Sequence, residues 1–180
     1  DLSGNVNAEI RLSGPSLSNL ILDAKASGKV WTSKVDLINI KELRPFNATF
    51  NGNIGTGVGS FSLLDLNFSL LTLVAPIPSS VDGYFGLKGE YNLANRSPEV
   101  KAKLLIEDTK IDNKSIVLDD AEILLKDDYL QLDIALRDES SINPVELSGV
   151  YPLNNSSPID LKVESHGDGL AFLTGLSKGN

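Results

Sequence analysis

The chain has 180 residues, a formal net charge of −8 and no cysteine. This length suits one domain or one segment of a longer array. An acidic chain without a basic stripe repels phosphate backbones, so we expect no nucleic-acid partner. The absence of cysteine excludes disulfides, thiol catalysis and cysteine-ligated metals. Methionine is absent even at position 1, and we therefore expect an excerpt or a processed product of a longer protein.

The first part of the chain is a series of short alternating segments separated by turn residues. Apolar and polar residues alternate with period two in 1–14, which is typical of a half-buried strand. Similar patterns predict further strands at 20–26, 31–37 and 46–54.

Residues 61–74 are less regular, because the apolar phase slips by one residue at 63/64 and again at 70/71. We interpret this segment as a strand with a bulge, and a short helix over 62–74 is the alternative. The prolines and serines of 76–80 then form the clearest linker. The sequence thus divides into a segment 1–75, a bend at 76–80 and a segment 81–180, with one continuous domain as the alternative.

The clearest strands lie in the second half. Residues 100–136 contain strictly alternating runs, and the acidic pair Asp127–Asp128 predicts a hairpin turn between two of them. Further alternating runs predict strands at 84–91, 145–151 and 159–163. Asp168 is a candidate N-cap for one or two helical turns over 170–176. The pattern as a whole predicts an all-β antiparallel architecture with a short helix near the C-terminus.

The candidate chemical motifs do not indicate catalysis. The glycine-rich segment 55–59 lacks the third glycine and the helix start of a dinucleotide motif, so we interpret it as close packing or a bulge. His166 is the single histidine and has no nucleophile elbow beside it, which favours a structural or surface role. Asp119–Asp120 and Asp127–Asp128 do not match calcium-loop spacing, and turn-forming or edge-protecting roles explain them. We expect no enzyme, no metal and no cofactor.

The apolar side of the alternating strands is the candidate functional surface. The predicted lining residues are Val100, Ala102, Leu104, Ile106, Ile123, Leu125, Leu130, Leu132, Ile134, Leu136, Val145, Leu147, Ile159, Leu161 and Val163. Two interpretations stay open, because either a second sheet covers this face in a sandwich or the sheet curls about it and leaves a groove. Aromatic residues make up only 6% of the chain, so such a groove would suit acyl chains better than flat rings.

Three segments carry a resemblance to a known family. They are 81–89, 116–125 and 147–173, in which strands with glycine, polar turns and alternating strands recur. On these segments the chain resembles the C-terminal part of TamB proteins (translocation and assembly module) of the AsmA-like superfamily, and in particular the cyanobacterial or plastid branch. Residues 1–80 fit this pattern more loosely.

The resemblance implies that the antiparallel meander curls into a taco-shaped trough with an apolar interior. It implies a periplasmic part of a cell-envelope protein that a single span anchors in the inner membrane. The implied function is bridge-like lipid transfer, in which phospholipid acyl chains pass along the groove between the inner and outer membranes. This transfer would support outer-membrane biogenesis and protein secretion together with an Omp85-type outer-membrane barrel protein. The alternative is a periplasmic chaperone-like or structural module that binds strands of outer-membrane proteins by β-augmentation.

Overall fold

The computed structural model describes residues 2–32, 43–73, 81–94, 97–154 and 158–169. Within them it forms ten strands in one antiparallel sheet, and each strand pairs with the next along the chain. The strands are β1 (Leu2–Ser13), β2 (Ile21–Thr32), β3 (Phe46–Asn53), β4 (Val58–Asn67), β5 (Val81–Asn92), β6 (Glu99–Ile111), β7 (Lys114–Lys126), β8 (Tyr129–Asp138), β9 (Val145–Pro152) and β10 (Asp160–Ser165). The predicted all-β antiparallel meander is confirmed, and the predicted helix over 170–176 lies outside the described residues.

Two of the hairpins turn on acidic or amide residues with a left-handed backbone. Asp112–Asn113 joins β6 to β7, and Asp127–Asp128 joins β7 to β8. All four residues have positive φ angles, from 51° to 64°. Two-residue turns with positive φ at both positions match the twist of paired strands, and Asp and Asn tolerate this conformation better than most side chains. The predicted hairpin turn at Asp127–Asp128 is therefore confirmed.

The other acidic pair, Asp119–Asp120, lies inside β7 and not at a strand end. The register between β7 and β8 shifts between Leu118 and Asp120, so Asp119 is an extra residue in β7. This bulge keeps Leu118 and Ala121 on the same face although they are three residues apart. The interpretation of this pair as turn-forming or edge-protecting was wrong, because a bulge interrupts the alternation in the same way as a turn and β7 lies inside the sheet.

The first phase slip in residues 61–74 is a β-bulge, as predicted. The pairs Leu63–Leu87 and Leu66–Phe85 differ in register by one residue, and Asp65 within the bulge has a φ of 61°. The extra residue returns Leu66 to the face of Leu63, so the apolar side of β4 continues past the slip.

The second phase slip is not part of a strand. β4 ends at Asn67, and Phe68–Leu73 forms a 3₁₀ helix. The rings of Phe68 and Phe85 pack with their centroids 5.3 Å apart, so this segment leaves the ladder and lies against β5. The strand interpretation was wrong for these residues, and the helical alternative holds for them.

The first half of the chain joins the second in the same sheet. β4 pairs with β5, so the sheet is continuous across the bend predicted at 76–80. β2 extends beyond the predicted 20–26 and includes Trp31. The rest of the strand predicted at 31–37 lies outside the described residues, apart from Thr32.

Candidate functional site

One face of the sheet is apolar from one edge strand to the other. Residues that pair directly in an antiparallel sheet project to the same face, so the registers join side chains into rows across the sheet. One row consists of Ile10, Ala24, Phe50, Phe61, Gly89, Ala102, Ile123, Leu132, Gly149 and Leu161. This row contains no polar side chain. We call the face that carries it the apolar face, and the opposite side the polar face.

The neighbouring rows have the same character. On one side lie Leu12, Leu22, Gly52, Gly59, Tyr91, Val100, Leu125, Leu130 and Tyr151. On the other side lie Ala8, Ala26, Ala48, Leu63, Leu87 and Leu104, and then Ala121, Ile134, Leu147 and Val163. One row thus crosses all ten strands, and the two rows beside it, one of which ends at β9 and the other of which lacks pairing between β6 and β7, also contain no charged side chain.

The predicted lining residues that belong to strands all project from the apolar face. They are Val100, Ala102, Leu104, Ile106, Ile123, Leu125, Leu130, Leu132, Ile134, Leu136, Val145, Leu147, Leu161 and Val163. Ile159 precedes β10, lies outside the ladder and is largely exposed. The structure thus brings the predicted set together with the exception of one residue.

The prediction omitted the contribution of β3, β4 and β5 to this face. Phe46, Phe50, Phe61, Phe85 and Tyr91 project from β3, β4 and β5 to the same side. Alternation in these segments was visible in the sequence, but only the registers place their apolar residues beside those of β6. The apolar face therefore has an aromatic part on β3–β5 and an aliphatic part on β6–β9.

Two glycines allow an aromatic ring to lie flat on the sheet. The side chain of Tyr91 lies over Gly52 and Gly59, where a Cβ at either position would collide with its hydroxyl group. The ring stacks on Phe50, with centroids 5.1 Å apart and ring planes inclined by 15°. Burial raises the pKa of Tyr91. Gly59, in the glycine-rich segment 55–59, thus serves close packing, as predicted.

No second sheet covers the apolar face among the described residues. The central strands leave most of their apolar side chains half-buried, whereas on the edge strands Ile10 is 69% exposed and Val163 is 57% exposed. The buried apolar side chains are Leu43, Phe46, Phe85, Ile116, Ala121 and Val145. A sandwich would bury the central residues of this face against a facing sheet. The described part of the chain is one open sheet, so the sandwich interpretation does not hold for it.

The 3₁₀ helix Phe68–Leu73 lies at one end of the apolar face. It contacts β5 and also β2, and β2 makes a direct contact with β4. Two strands with one strand between them lie about 9.6 Å apart in a flat sheet, so the closer approach of β2 to β4 requires the sheet to curve. The sheet therefore bends toward the helix, which is consistent with a curled trough whose concave side is apolar.

The polar face carries ion pairs both within and between strands. Glu99 lies 3.0 Å from both Lys101 and Lys126, and Lys103 lies 3.2 Å from Glu122. Hydrogen bonds from Lys101 and Lys126 lower the pKa of Glu99. Because the lysines of these pairs are largely solvent-accessible, the pairs contribute little to the free energy of unfolding. Their main effect is to keep this side of the sheet hydrated.

Two recesses lined by described residues lie on the polar face and in a gap in the sheet. One, of about 440 Å³, is bordered by Lys88, Lys101 and Glu122. Another, of about 500 Å³, lies between β6 and β7, where pairing stops after Lys103–Glu122 and resumes at 110/115.

The side chain of Asp138 is the most deeply placed carboxylate near this face. It accepts hydrogen bonds from the backbone nitrogen of Ser140 at 2.9 Å and from its hydroxyl at 2.7 Å, and Lys114 lies 3.7 Å away. These hydrogen bonds, aided by Lys114, lower the pKa of Asp138. A carboxylate with a lowered folded-state pKa stabilises the fold above its unfolded pKa of about 3.9, and this contribution is lost as the pH falls through the folded pKa.

Asp138→Asn is therefore expected to lower the free energy of unfolding at neutral pH and to flatten its decline below about pH 4. Urea unfolding at a series of pH values measures both effects. Asp133→Asn changes an exposed position on the same strand and is the matched control. Its free energy of unfolding should have the same pH dependence as that of the unsubstituted chain. Identical pH profiles for Asp138→Asn and the unsubstituted chain would contradict this role.

The remaining candidate residues, His166 and Asp168, make hydrogen bonds that hold local structure. His166 follows β10, and its carbonyl accepts a hydrogen bond from Gly169 at 3.0 Å. Asp168 accepts bonds from the backbone nitrogens of Ile142 and Asn143, at 2.9 and 3.1 Å, and so holds the β8–β9 loop. The described residues contain no cluster of three or more His, Cys, Asp or Glu side chains arranged for a metal ion. In the same residues, no helix has the length and hydropathy needed to cross a membrane.

Comparisons of the whole chain with protein-family models, with curated proteins and with solved structures gave no match. The resemblance to TamB proteins therefore stays a prediction from the sequence. The geometry of the sheet is therefore the main structural support for a functional proposal.

Proposed function

We propose that this chain is a segment of a bridge-like lipid transfer protein, and that its apolar face carries the acyl chains of phospholipids. The observation that supports this most directly is the continuity of the face. One row of uncharged side chains crosses all ten strands, the rows on either side of it are also uncharged, and no second sheet covers them among the described residues. Large uncovered apolar surfaces on soluble proteins mark sites of interaction with lipids, ligands or other proteins.

The mechanism begins with partition of an acyl chain from water to the apolar face. Each buried methylene contributes about 0.8 kcal/mol to this transfer. Ala102, Ile123 and Leu132 are successive members of one row on adjacent strands. Because neighbouring strands offer similar side chains, the free energy of a bound acyl chain changes little from one strand to the next. A lipid can then move across the strands without leaving the face.

In this proposal the chain belongs to the periplasmic part of a protein anchored in the inner membrane. Phospholipid moves between the two membranes, and an Omp85-type outer-membrane protein is the partner at the far end. These assignments rest on the resemblance of 81–89, 116–125 and 147–173 to TamB proteins. The open apolar face is an argument for lipid as the ligand, and it does not bear on the cellular compartment of the protein.

The test is photocrosslinking from the two faces of one strand. A photoreactive residue at Leu132, on the apolar face, should give phospholipid adducts when the protein is isolated from membranes of a Gram-negative host. The same residue at Gln131, on the polar face, should give none or few. Mass spectrometry of extracted lipids provides the independent measurement. Protein without bound phospholipid and without lipid adducts at Leu132 would contradict the proposal.

One observation favours a second candidate function, a periplasmic chaperone-like module. Among the described residues β1 pairs with β2 alone along its twelve residues, and strand edges without a partner accept extended peptides by β-augmentation. In the crosslinking experiment this function predicts polypeptide adducts from outer-membrane proteins, concentrated along β1. Lipid adducts at Leu132 without such peptide adducts favour the lipid-transfer function.

A further inference from the structure

The two rims of the sheet, where the strands begin and end, differ in burial. The connections β1–β2, β3–β4, β5–β6, β7–β8 and β9–β10 lie at one rim, which we call the hairpin rim, and the other four connections lie at the opposite rim, which we call the closed rim. The buried apolar side chains among the described residues are concentrated at the closed rim, where they are Leu43, Phe46, Phe85, Ile116 and Val145. The remaining one, Ala121, lies near the middle of β7. Leu73 and Ile142 at the closed rim are exposed, so the burial concerns the side chains on and beside the strands.

A short helix and an arginine hold the closed rim together. On the apolar face, the 3₁₀ helix Phe68–Leu73 packs on Phe85 of β5 and also reaches β2. On the polar face, Arg44, which precedes β3, donates a hydrogen bond to Glu107 of β6 at 2.7 Å. The guanidinium group of Arg44 also lies 5.0 Å from the centre of the Tyr84 ring on β5. The protein itself thus shields the apolar side chains at this rim from water.

The hairpin rim has no such cover among the described residues. Four of its turns each carry a large apolar side chain that is more than half exposed, namely Leu17, Ile54, Leu93 and Leu153. Three of the turn segments, 13–20, 53–58 and 151–159, contain no charged residue, although charged residues make up 22% of the chain. Their serine, threonine and asparagine side chains offer hydrogen bonds without charge. This rim therefore combines exposed apolar side chains with neutral polar groups.

The distance between the two rims matches the length of an acyl chain. Tyr91 and Tyr151 belong to the last paired row of the apolar face before the hairpins, and tyrosine favours the boundary between an apolar and a hydrated environment. On β5, the six residue steps from Phe85 to Tyr91 correspond to about 20 Å of strand. The hydrocarbon of one bilayer leaflet is about 15 Å thick. An acyl chain that begins at the tyrosine row thus ends near Phe85.

We propose that phospholipids lie on the apolar face with their acyl chains along the strands, the tail ends at the closed rim and the headgroups at the hairpin rim. This inference rests on the proposed function, because it orients the lipid that the apolar face is proposed to carry. Tail ends then meet the side chains that the protein already shields from water, and headgroups stay hydrated beside the neutral turns. A lipid in this orientation moves sideways from strand to strand without turning.

The first measurement is photolabelling of the unsubstituted chain with phosphatidylcholine vesicles that contain a photoreactive phosphatidylcholine. A diazirine on the terminal carbon of the acyl chain should label mainly the closed rim, in 81–87, 106–111 and 145–147. A photoreactive group on the headgroup should label mainly the hairpin rim, in 12–22 and 91–94. The reverse distribution, or one distribution common to both probes, overturns the orientation and leaves the proposed function standing. A lack of labelling by either probe overturns the proposed function and the orientation with it.

Val100→Asp and Ile106→Asp are a matched pair of variants on β6. Both side chains are half-buried and project from the apolar face, Val100 opposite Tyr91 at the hairpin rim and Ile106 opposite Phe85 at the closed rim. Ile106→Asp should lower the amount of bound phosphatidylcholine at least about tenfold, because the tail end would separate the new carboxylate from water. Val100→Asp should change it by less than about twofold, because its carboxylate lies beside hydrated headgroups.

The two variants distinguish the orientation from its reverse. A larger loss of lipid in Val100→Asp than in Ile106→Asp overturns the proposed orientation, and an equal loss in both does so as well. Lipid retained in full by both variants contradicts the proposed function, because no acyl chain would then lie on this face of β6. Urea unfolding verifies that both variants fold. If Ile106→Asp does not fold, the photolabelling of the unsubstituted chain decides the orientation.

Discussion

Ile123→Asp is expected to remove bound phospholipid from the apolar face while the chain stays folded. Ile123 lies in the central row, between Ala102 and Leu132 on the adjacent strands. An acyl chain lying over this position would separate the new carboxylate from water, and the desolvation of a charge costs several kcal/mol. We therefore expect at least about a tenfold loss of bound lipid. Ile123 is only half-buried, so the lipid-free fold should lose about 1–3 kcal/mol of stability.

Leu124→Asp provides the matched control for this prediction. Leu124 is the next residue of β7, is also half-buried and projects to the polar face between Lys101 and Gln131. It places the same charge on the same strand, but on the other side of the sheet. Lipid per mole of protein, measured by mass spectrometry after extraction, should stay unchanged in this variant. Circular dichroism and urea unfolding verify that both variants fold.

The comparison separates a role in lipid binding from an effect on folding. Leu104→Asp and Leu132→Asp, also on the apolar face, should behave as Ile123→Asp does. If Ile123→Asp folds and retains its lipid, the assignment of the lining is wrong. If Leu124→Asp loses lipid to the same extent, the loss results from a less stable sheet and not from a charge on the apolar face.

Gly149→Ala is expected to have the largest effect on stability and to detach β10. Gly149 of β9 has a φ of 138°, which side chains rarely adopt, and a Cβ there would collide with the carbonyl oxygen of Asp160. Backbone strain costs about 1–3 kcal/mol. Crowding against a neighbouring strand costs a similar amount, about 1–3 kcal/mol. Because the colliding atom belongs to the backbone of β10, moving it breaks the pairing of β9 with β10.

Urea unfolding and hydrogen exchange measure this effect together. The free energy of unfolding should fall by roughly 3 kcal/mol, and amides in 160–165 should exchange much faster than those of β6 and β7. Ser148→Ala, one residue earlier on the same strand, is the control and should leave exchange in β10 unchanged. Equal protection of β10 in Gly149→Ala and in the unsubstituted chain would show that the sheet accommodates the new methyl group.

Several features of the fold were readable from the sequence because they are local. Period-two alternation in 100–136 identified the strands and the apolar side of each. The slip at 63/64 indicated a bulge because one extra residue inverts the alternation. Asp127–Asp128 indicated a turn because Asp tolerates positive φ. The same local logic failed at Asp119–Asp120, where the acidic pair lies in a bulge and not at a strand end.

Other features of the site depend on contacts between distant segments. Tyr91 lies over Gly52 and Gly59, which belong to two other strands, and no local pattern links these positions. The 3₁₀ helix Phe68–Leu73 ends the ladder because Phe68 packs on Phe85 of the next strand. The aromatic part of the apolar face was therefore absent from the predicted lining.

The sequence by itself determined that this protein is an antiparallel meander in which one side of each strand is apolar, because alternation is a property of neighbouring residues. Only the tertiary structure decided that the apolar sides of all ten strands form one face, and that no second sheet covers it among the described residues. The physical reason is that strand register, sheet curvature and the presence of a covering layer depend on contacts between segments that are far apart in the chain. Alternation specifies that a face avoids water, and it does not specify what lies against that face.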